Sequence, residues 1–194
     1  MVNATCVRRP FEWLALLVAL LSMAGTVRAA SDAEFAVKSV VPTWNDNVYQ
    51  VTAELVTTLG QPAGEALLKG VALTITLDIE VTRQRRFWLD AGAAHIEQRY
   101  QLRYHALTDR YVLTNLNTGI QTSMASLQSA QELLNTVPNL PVLDRQLLEP
   151  NEQYSGRLRV RLDIDALPAP LKLLAYFSPA WHQSSDWFIW KLTM

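Results

Sequence analysis

The run Leu102-Arg103-Tyr104-His105-Ala106-Leu107-Thr108-Asp109-Arg110-Tyr111 decides how this chain folds. It lies inside a longer stretch, residues 95–116, with a period of two. Ala94, Ile96, Tyr100, Leu102, Tyr104 and Ala106 fall on one side, and His95, Glu97, Arg99, Gln101, Arg103 and His105 on the other. That period belongs to a strand with one buried and one wet face. Leu107-Thr108-Asp109-Arg110 then predicts a turn, and Tyr111-Val112-Leu113-Thr114 the return strand, so residues 95–116 read as a hairpin.

The same period recurs on both sides of it. In residues 71–82, Val71, Leu73, Ile75, Leu77, Ile79 and Val81 share one face, and Ala72, Thr74, Thr76, Asp78, Glu80 and Thr82 the other. No helix could bury six residues spaced strictly in twos. In residues 154–164, Tyr154, Leu158, Val160, Leu162 and Ile164 alternate with Ser155, Arg157, Arg159, Arg161 and Asp163. Residues 35–41 predict a first strand stopped by Pro42, the cluster Trp44-Asn45-Asp46-Asn47 a turn, and residues 49–55 its hairpin partner. Residues 187–192 predict a last strand with aromatic side chains on both faces. Helical signals are short. They cover residues 61–70 between Pro62 and Gly70, residues 124–136 ended by Pro138, residues 142–148 between Pro141 and Pro150, and residues 171–177 ended by Ser178-Pro179. Seven or eight strands joined by short turns predict a mainly β fold. It is an antiparallel two-layer β-sandwich-like domain with two or three short helical insertions.

The N-terminus has a different character. Arg8 and Arg9 precede an uncharged apolar run of 15 residues, 13–27, which Val27-Arg28-Ala29 closes. A basic head, an apolar centre and a small residue at the cut describe a secretory signal peptide, with cleavage after Ala29. The alternative is an uncleaved inner-membrane anchor at residues 13–27, although a spanning helix needs roughly 20 residues. The expected organisation is a signal peptide at residues 1–29 and one β-rich periplasmic domain at 30–194, long enough for a proper core. Cys6 is the only cysteine and leaves with the leader, so the mature chain carries no thiol, disulfide or cysteine ligand. Loss of Arg8, Arg9, Arg28 and Glu12 takes the formal charge from -1 to -3, which speaks against a nucleic-acid partner.

Leu102-Arg103-Tyr104-His105-Ala106-Leu107 with Tyr111 shortly after resembles the signature of a bacterial family of exported proteins named only as domain of unknown function 4390. Leu162-Asp163, Leu167-Pro168, Pro170-Leu171, Trp181, Trp187 and Trp190 resemble the closing block of the same family. The likeness covers nearly all of the chain after the leader. It implies an exported, periplasmic protein of the Gram-negative envelope, with a membrane sensor kinase of the two-component type in its genetic setting. It implies no activity, cofactor or catalytic residue.

Two surfaces are candidates for interaction. Arg157, Arg159 and Arg161 project from one face of one strand, as Arg99 and Arg103 do from another, while Arg83, Arg85 and Arg86 end a third. If these strands are neighbours, the face could hold a carboxylate, a phosphate or an acidic partner through forked hydrogen bonds. The other reading is a solvated face whose arginines pair across strands with Glu97, Asp163, Asp78 or Glu80. Trp181, Trp187, Phe188 and Trp190 crowd the C-terminus, either as core filling or as an exposed aromatic patch for a lipid, glycan or protein. His95 and His105 lie on the order of 34 Å apart along one strand and cannot share a metal. There is no G-x-S-x-G, P-loop or G-x-G-x-x-G. The function expected from the sequence is therefore a non-enzymatic envelope binding or interaction module without a cofactor. Its partner would be an envelope protein or an anionic ligand, with a sensor protein as one candidate. A lipid or glycan carrier would need a cavity between the sheets. A hydrolase would need Ser, His and a carboxylate to converge.

Overall fold

The structure, a computed structural model, describes residues 33–85 and 91–192. The leader, its cut after Ala29, the alternative anchor and the connecting residues Arg86, Phe87, Trp88 and Leu89 lie outside the described residues. Ser31–Met194 forms one compact unit.

Nine strands are described: β1 (Glu34–Asn45), β2 (Val48–Thr58), β3 (Leu73–Arg83), β4 (Ala91–His105), β5 (Arg110–Asn115), β6 (Gln121–Met124), β7 (Thr136–Asp144), β8 (Tyr154–Leu162) and β9 (Phe188–Lys191). Three short helices interrupt them: α1 (Gln61–Leu68), α2 (Leu127–Leu134) and α3 (Ala169–Phe177). The strands form two antiparallel sheets, ordered β1-β2-β7 and β6-β5-β4-β3-β8-β9. The fold is thus the sandwich-like β domain that the period of two predicts. No helix among the described residues is long and apolar enough to cross a membrane.

The core lies between the sheets. Tyr49, Val51, Ala53 and Leu55 of β2 face Leu73, Ile75, Leu77, Ile79 and Val81 of β3 and Leu158, Val160 and Leu162 of β8. The β3 residues of this set are at most 1% exposed. Burying a side chain of this size contributes about 1.5–3 kcal/mol before conformational entropy is set against it. One buried polar contact links the sheets: the Trp190 indole N–H donates to the Tyr49 hydroxyl at 2.9 Å. Trp190 lies flat against Gly156, where an added Cβ would come within 2.3 Å of the ring.

Most turns form where the sequence predicts them, although Ala91 and Gly92, turn-like in sequence, open β4. Asp46 in the β1–β2 turn and Asp109 in the β4–β5 turn adopt φ of 52° and 49°, a region that short polar side chains tolerate. Gly70 ends the α1 segment at φ 84°. The Ser126 hydroxyl caps α2 by accepting from the Ser129 N–H at 3.1 Å.

Prolines account for the main departures from expectation. β1 does not stop at Pro42 but pairs through it, Pro42 opposite Val51. β1 is an edge strand, where a missing N–H on the open side breaks no ladder bond. The predicted helix at residues 124–136 is only α2, and the residues just before it form the edge strand β6. The predicted helix at residues 142–148 is instead the end of β7 followed by a single 3-10 turn, Arg145–Leu147. β7 contains both Pro138 and Pro141 and is likewise an edge strand. Its register against β2 shifts twice, and the Thr52 hydroxyl, rather than a carbonyl, accepts the Asn139 N–H at 3.1 Å.

The Trp190 contact generates a stability prediction. Gly156→Ala must push a buried ring away from its tyrosine partner, and overpacking of this kind costs about 1–3 kcal/mol. Urea denaturation of the purified domain should show that loss, with an unchanged denaturant slope.

Candidate functional site

β3 lies between β4 and β8, so the candidate arginines are brought together on the outer face of the larger sheet. Across β3, Asp78 stands opposite Arg159 on one side and Glu97 on the other, and Glu80 opposite Arg157 and His95. Thr76 stands opposite Arg161 and Arg99.

These neighbours pair. The Asp78 Oδ2 accepts from Arg159 Nη2 at 2.8 Å and from Arg161 Nε at 2.9 Å. Glu80 Oε2 accepts from Arg157 Nε at 2.9 Å and also from its Nη2. Asp163 Oδ2 accepts from Arg99 Nη2 at 3.0 Å, and its other oxygen lies 3.7 Å from Arg161. Trp187 packs on two of these arginines, with the Arg157 and Arg159 guanidinium carbons 4.5 and 4.4 Å from its ring centroid. With Glu97, 3.9 Å from Arg161, four arginines and four carboxylates form one ladder whose formal charges balance.

The ladder also closes the face of β3 that the sequence assigns to solvent. Thr74, Thr76 and Asp78 are buried, Asp78 to 3% exposure, and the last two stand among the arginines. Snorkelling arginine stems cover apolar and polar surface alike. Burial alone would lower the Arg161 affinity for its proton. Its hydrogen bond to Asp78 and the charges of Asp78, Asp163 and Glu97 outweigh that, and its pKa is raised. Arg103 stands apart from the ladder, with its guanidinium on Gln101 at 3.3 Å. Arg83 pairs with Glu149.

The tryptophans separate. Trp181 and Trp190 are buried in the core, so the aromatic patch read from the sequence reduces to the half-buried Trp187 and Phe188. The α3 segment stands out instead. Its Ala175 is buried, and below it Asp165 anchors the helix by accepting from the Tyr176 hydroxyl and from Lys172 Nζ, which lies 2.9 Å away. The tyrosine hydroxyl first, and then the lysine, hold the Asp165 carboxyl below its ordinary pKa.

Pro170, Leu173, Leu174 and Phe177 face outward at i, i+3, i+4 and i+7, with Leu173, Leu174 and Phe177 exposed to 66%, 65% and 88%. The signal for this stripe was present in the sequence as a helical period in an apolar run. It gives no sign of which side packs.

Buried side chains of β2, β3 and β8 pack against one another between the sheets. Clefts among the described residues measure about 540 Å³ beside Gly92 and His95, 460 Å³ between β4 and β7, 250 Å³ beside Pro179 and Gln183, and 180 Å³ beside Leu113 and Leu133. No three His, Asp, Glu or Cys side chains among the described residues come together as a metal site.

A family model described as Domain of unknown function (DUF4390) matches residues 32–191. No curated protein and no solved structure matches the chain.

The ladder predicts unequal costs for removing its members. Asp78→Ala leaves two arginines over a buried gap and should cost about 3 kcal/mol. Arg157→Ala, at the exposed end, should cost less than about 1 kcal/mol. Denaturant melts of the two variants under one buffer test the order.

Proposed function

The chain belongs to the domain of unknown function 4390 family, and from the surface it presents we propose that it is a non-enzymatic interaction module of the Gram-negative envelope. The observation that carries this reading is the stripe Pro170, Leu173, Leu174 and Phe177 on α3. A contiguous apolar patch on a folded domain marks a docking surface. The arginine ladder supports the same reading from the other direction. Its guanidiniums are held by carboxylates of the same sheet, so it serves as a rigid, neutral platform rather than an anion trap.

We take the partner to be an envelope protein, with the outer domain of a membrane sensor as one candidate. The address rests on the leader: basic residues, a 15-residue apolar run and Ala29 at the cut.

Two measurements test these statements. N-terminal sequencing of the protein recovered from periplasm should begin at Ala30; a retained Met1 would replace the free periplasmic protein with an anchored one. Leu174→Asp combined with Phe177→Asp should reduce crosslinked partner recovered from cells at least about tenfold, because desolvated apolar anchors dominate docking. The same change should move stability by no more than about 0.5 kcal/mol, as surface substitutions do. Equal recovery by wild type and variant would exclude the α3 stripe as the docking surface.

A further inference from the structure

β4 runs for 15 residues, but β5 accompanies only its second part, from Tyr100 to His105. Just beyond that pairing, the Arg99 N–H donates to Asn117 Oδ1 at 2.8 Å and the Arg99 carbonyl accepts the Leu116 N–H at 2.8 Å. Backbone groups of a strand alternate sides, so those of Glu97 and His95 point off the same edge as those of Arg99. The Glu97 carbonyl confirms the direction by accepting from Asn117 Nδ2 at 2.9 Å.

The Glu97 N–H and both main-chain groups of His95 face outward without a strand beside them among the described residues. Asn117 ends the open stretch on one side, and on the other the register against β3 shifts between Val81 and Thr82, opposite residues 92–94. Both other long edges of the sandwich are blunted by proline: β1 by Pro42, and β7 by Pro138 and Pro141. The open part of β4 has no proline.

The side chains on either side of this edge differ. Below it lies the 460 Å³ cleft, with Ile96 and Tyr100 of β4 facing Val137, Leu140 and Pro141 of β7. It is large enough for an aliphatic side chain. Above it stands Glu97. The other carboxylates of the ladder take guanidinium hydrogen bonds, whereas Glu97 has only a longer contact with Arg161, at 3.9 Å, and the His95 ring at the same distance. Glu97 is thus the ladder's least neutralised charge, and it stands at the open edge, 41% exposed.

We propose that residues 93–97 of β4 bind an extended peptide segment of the partner by strand addition, and that this segment alternates basic with aliphatic side chains. Main-chain hydrogen bonds to His95 and Glu97 provide the affinity. A basic side chain opposite Glu97 and an aliphatic one in the β4–β7 cleft provide the selection. The proposal rests on the interaction reading above and names the chemistry of the partner.

The probe is a fluorescein-labelled eight-residue peptide alternating lysine and valine, titrated against the mature chain. The expected results are a saturable rise in anisotropy and slower amide exchange at His95 and Glu97. Glu97→Gln should weaken binding about threefold to fivefold, the size of a cross-strand ion pair. His95→Pro removes an N–H that points away from β3 and should weaken binding more than about tenfold, with circular dichroism unchanged.

The proposal is overturned if the same peptide with alternate amides N-methylated binds equally well. It is likewise overturned if a glutamate–valine peptide matches the lysine–valine one, or if amide exchange at His95 and Glu97 does not change. Concentration-dependent dimers that protect the same amides would assign the edge to a second copy of this chain and overturn it too. The α3 double variant should keep full peptide affinity, so loss of capture through α3 and loss of strand addition are read separately.

Discussion

Asp78 is the constraint around which the larger sheet is organised. A carboxylate in the middle of the central strand is tolerated only if its charge is met where water cannot reach it. The flanking strand β8 meets it twice, from Arg159 opposite and Arg161 on the diagonal. That requirement pins the β3–β8 register, because a slip of one residue would turn the arginines into the core and the leucines of β8 out of it. The same register sets Glu80 against Arg157 and brings Arg99 within reach of Asp163. A buried ion pair of this kind is weak evidence for net stability, since replacing it with packed apolar side chains is often neutral. Its effect here is to make one register far better than its neighbours.

Opposite this polar layer, the apolar layer does the ordinary work of burial, and the two meet at β8 and β9. Gly156 allows the Trp190 ring to lie against the backbone of β8, and the ring in turn reaches the Tyr49 hydroxyl on the smaller sheet. Trp187, only three residues earlier, lies on the other face against two guanidiniums. The short C-terminal strand carries Trp190 into the apolar layer, Trp187 just before it joins the polar one, and the strand forms the edge of the six-stranded sheet.

With most charges of the outer face paired within it, the rest of the unused chemistry lies elsewhere. It is apolar on α3 and main-chain along part of β4. These suit different contacts, one hydrophobic and without direction, the other directional and tied to register. A partner engaging both would gain specificity from the edge and contact area from the helix. The arginine face would then act by holding both in a fixed geometry, as a supporting shell does for a site.

The sequence alone determined the β class, the long strands, the sites of most turns, and that the arginines of β8 share a face. It did so because a period of two survives in any context and because small and polar turn residues act locally. The short helix ended by Phe177 was legible for the same reason. Three things were decided only by tertiary structure. Pro42, Pro138 and Pro141 read as breakers, yet they lie in edge strands whose open side needs no donor, and edge or centre is a property of strand order. Trp181 and Trp190 read as possible surface, and only tertiary packing buried them, Trp190 against Tyr49 of the smaller sheet and Trp181 in a turn packed on α1 and α3. Asp78, Glu80 and the arginines read as two alternatives, a binding face or an internal ladder. Alternation tells which side a charge is on, but the strand beside it decides whether that charge is free.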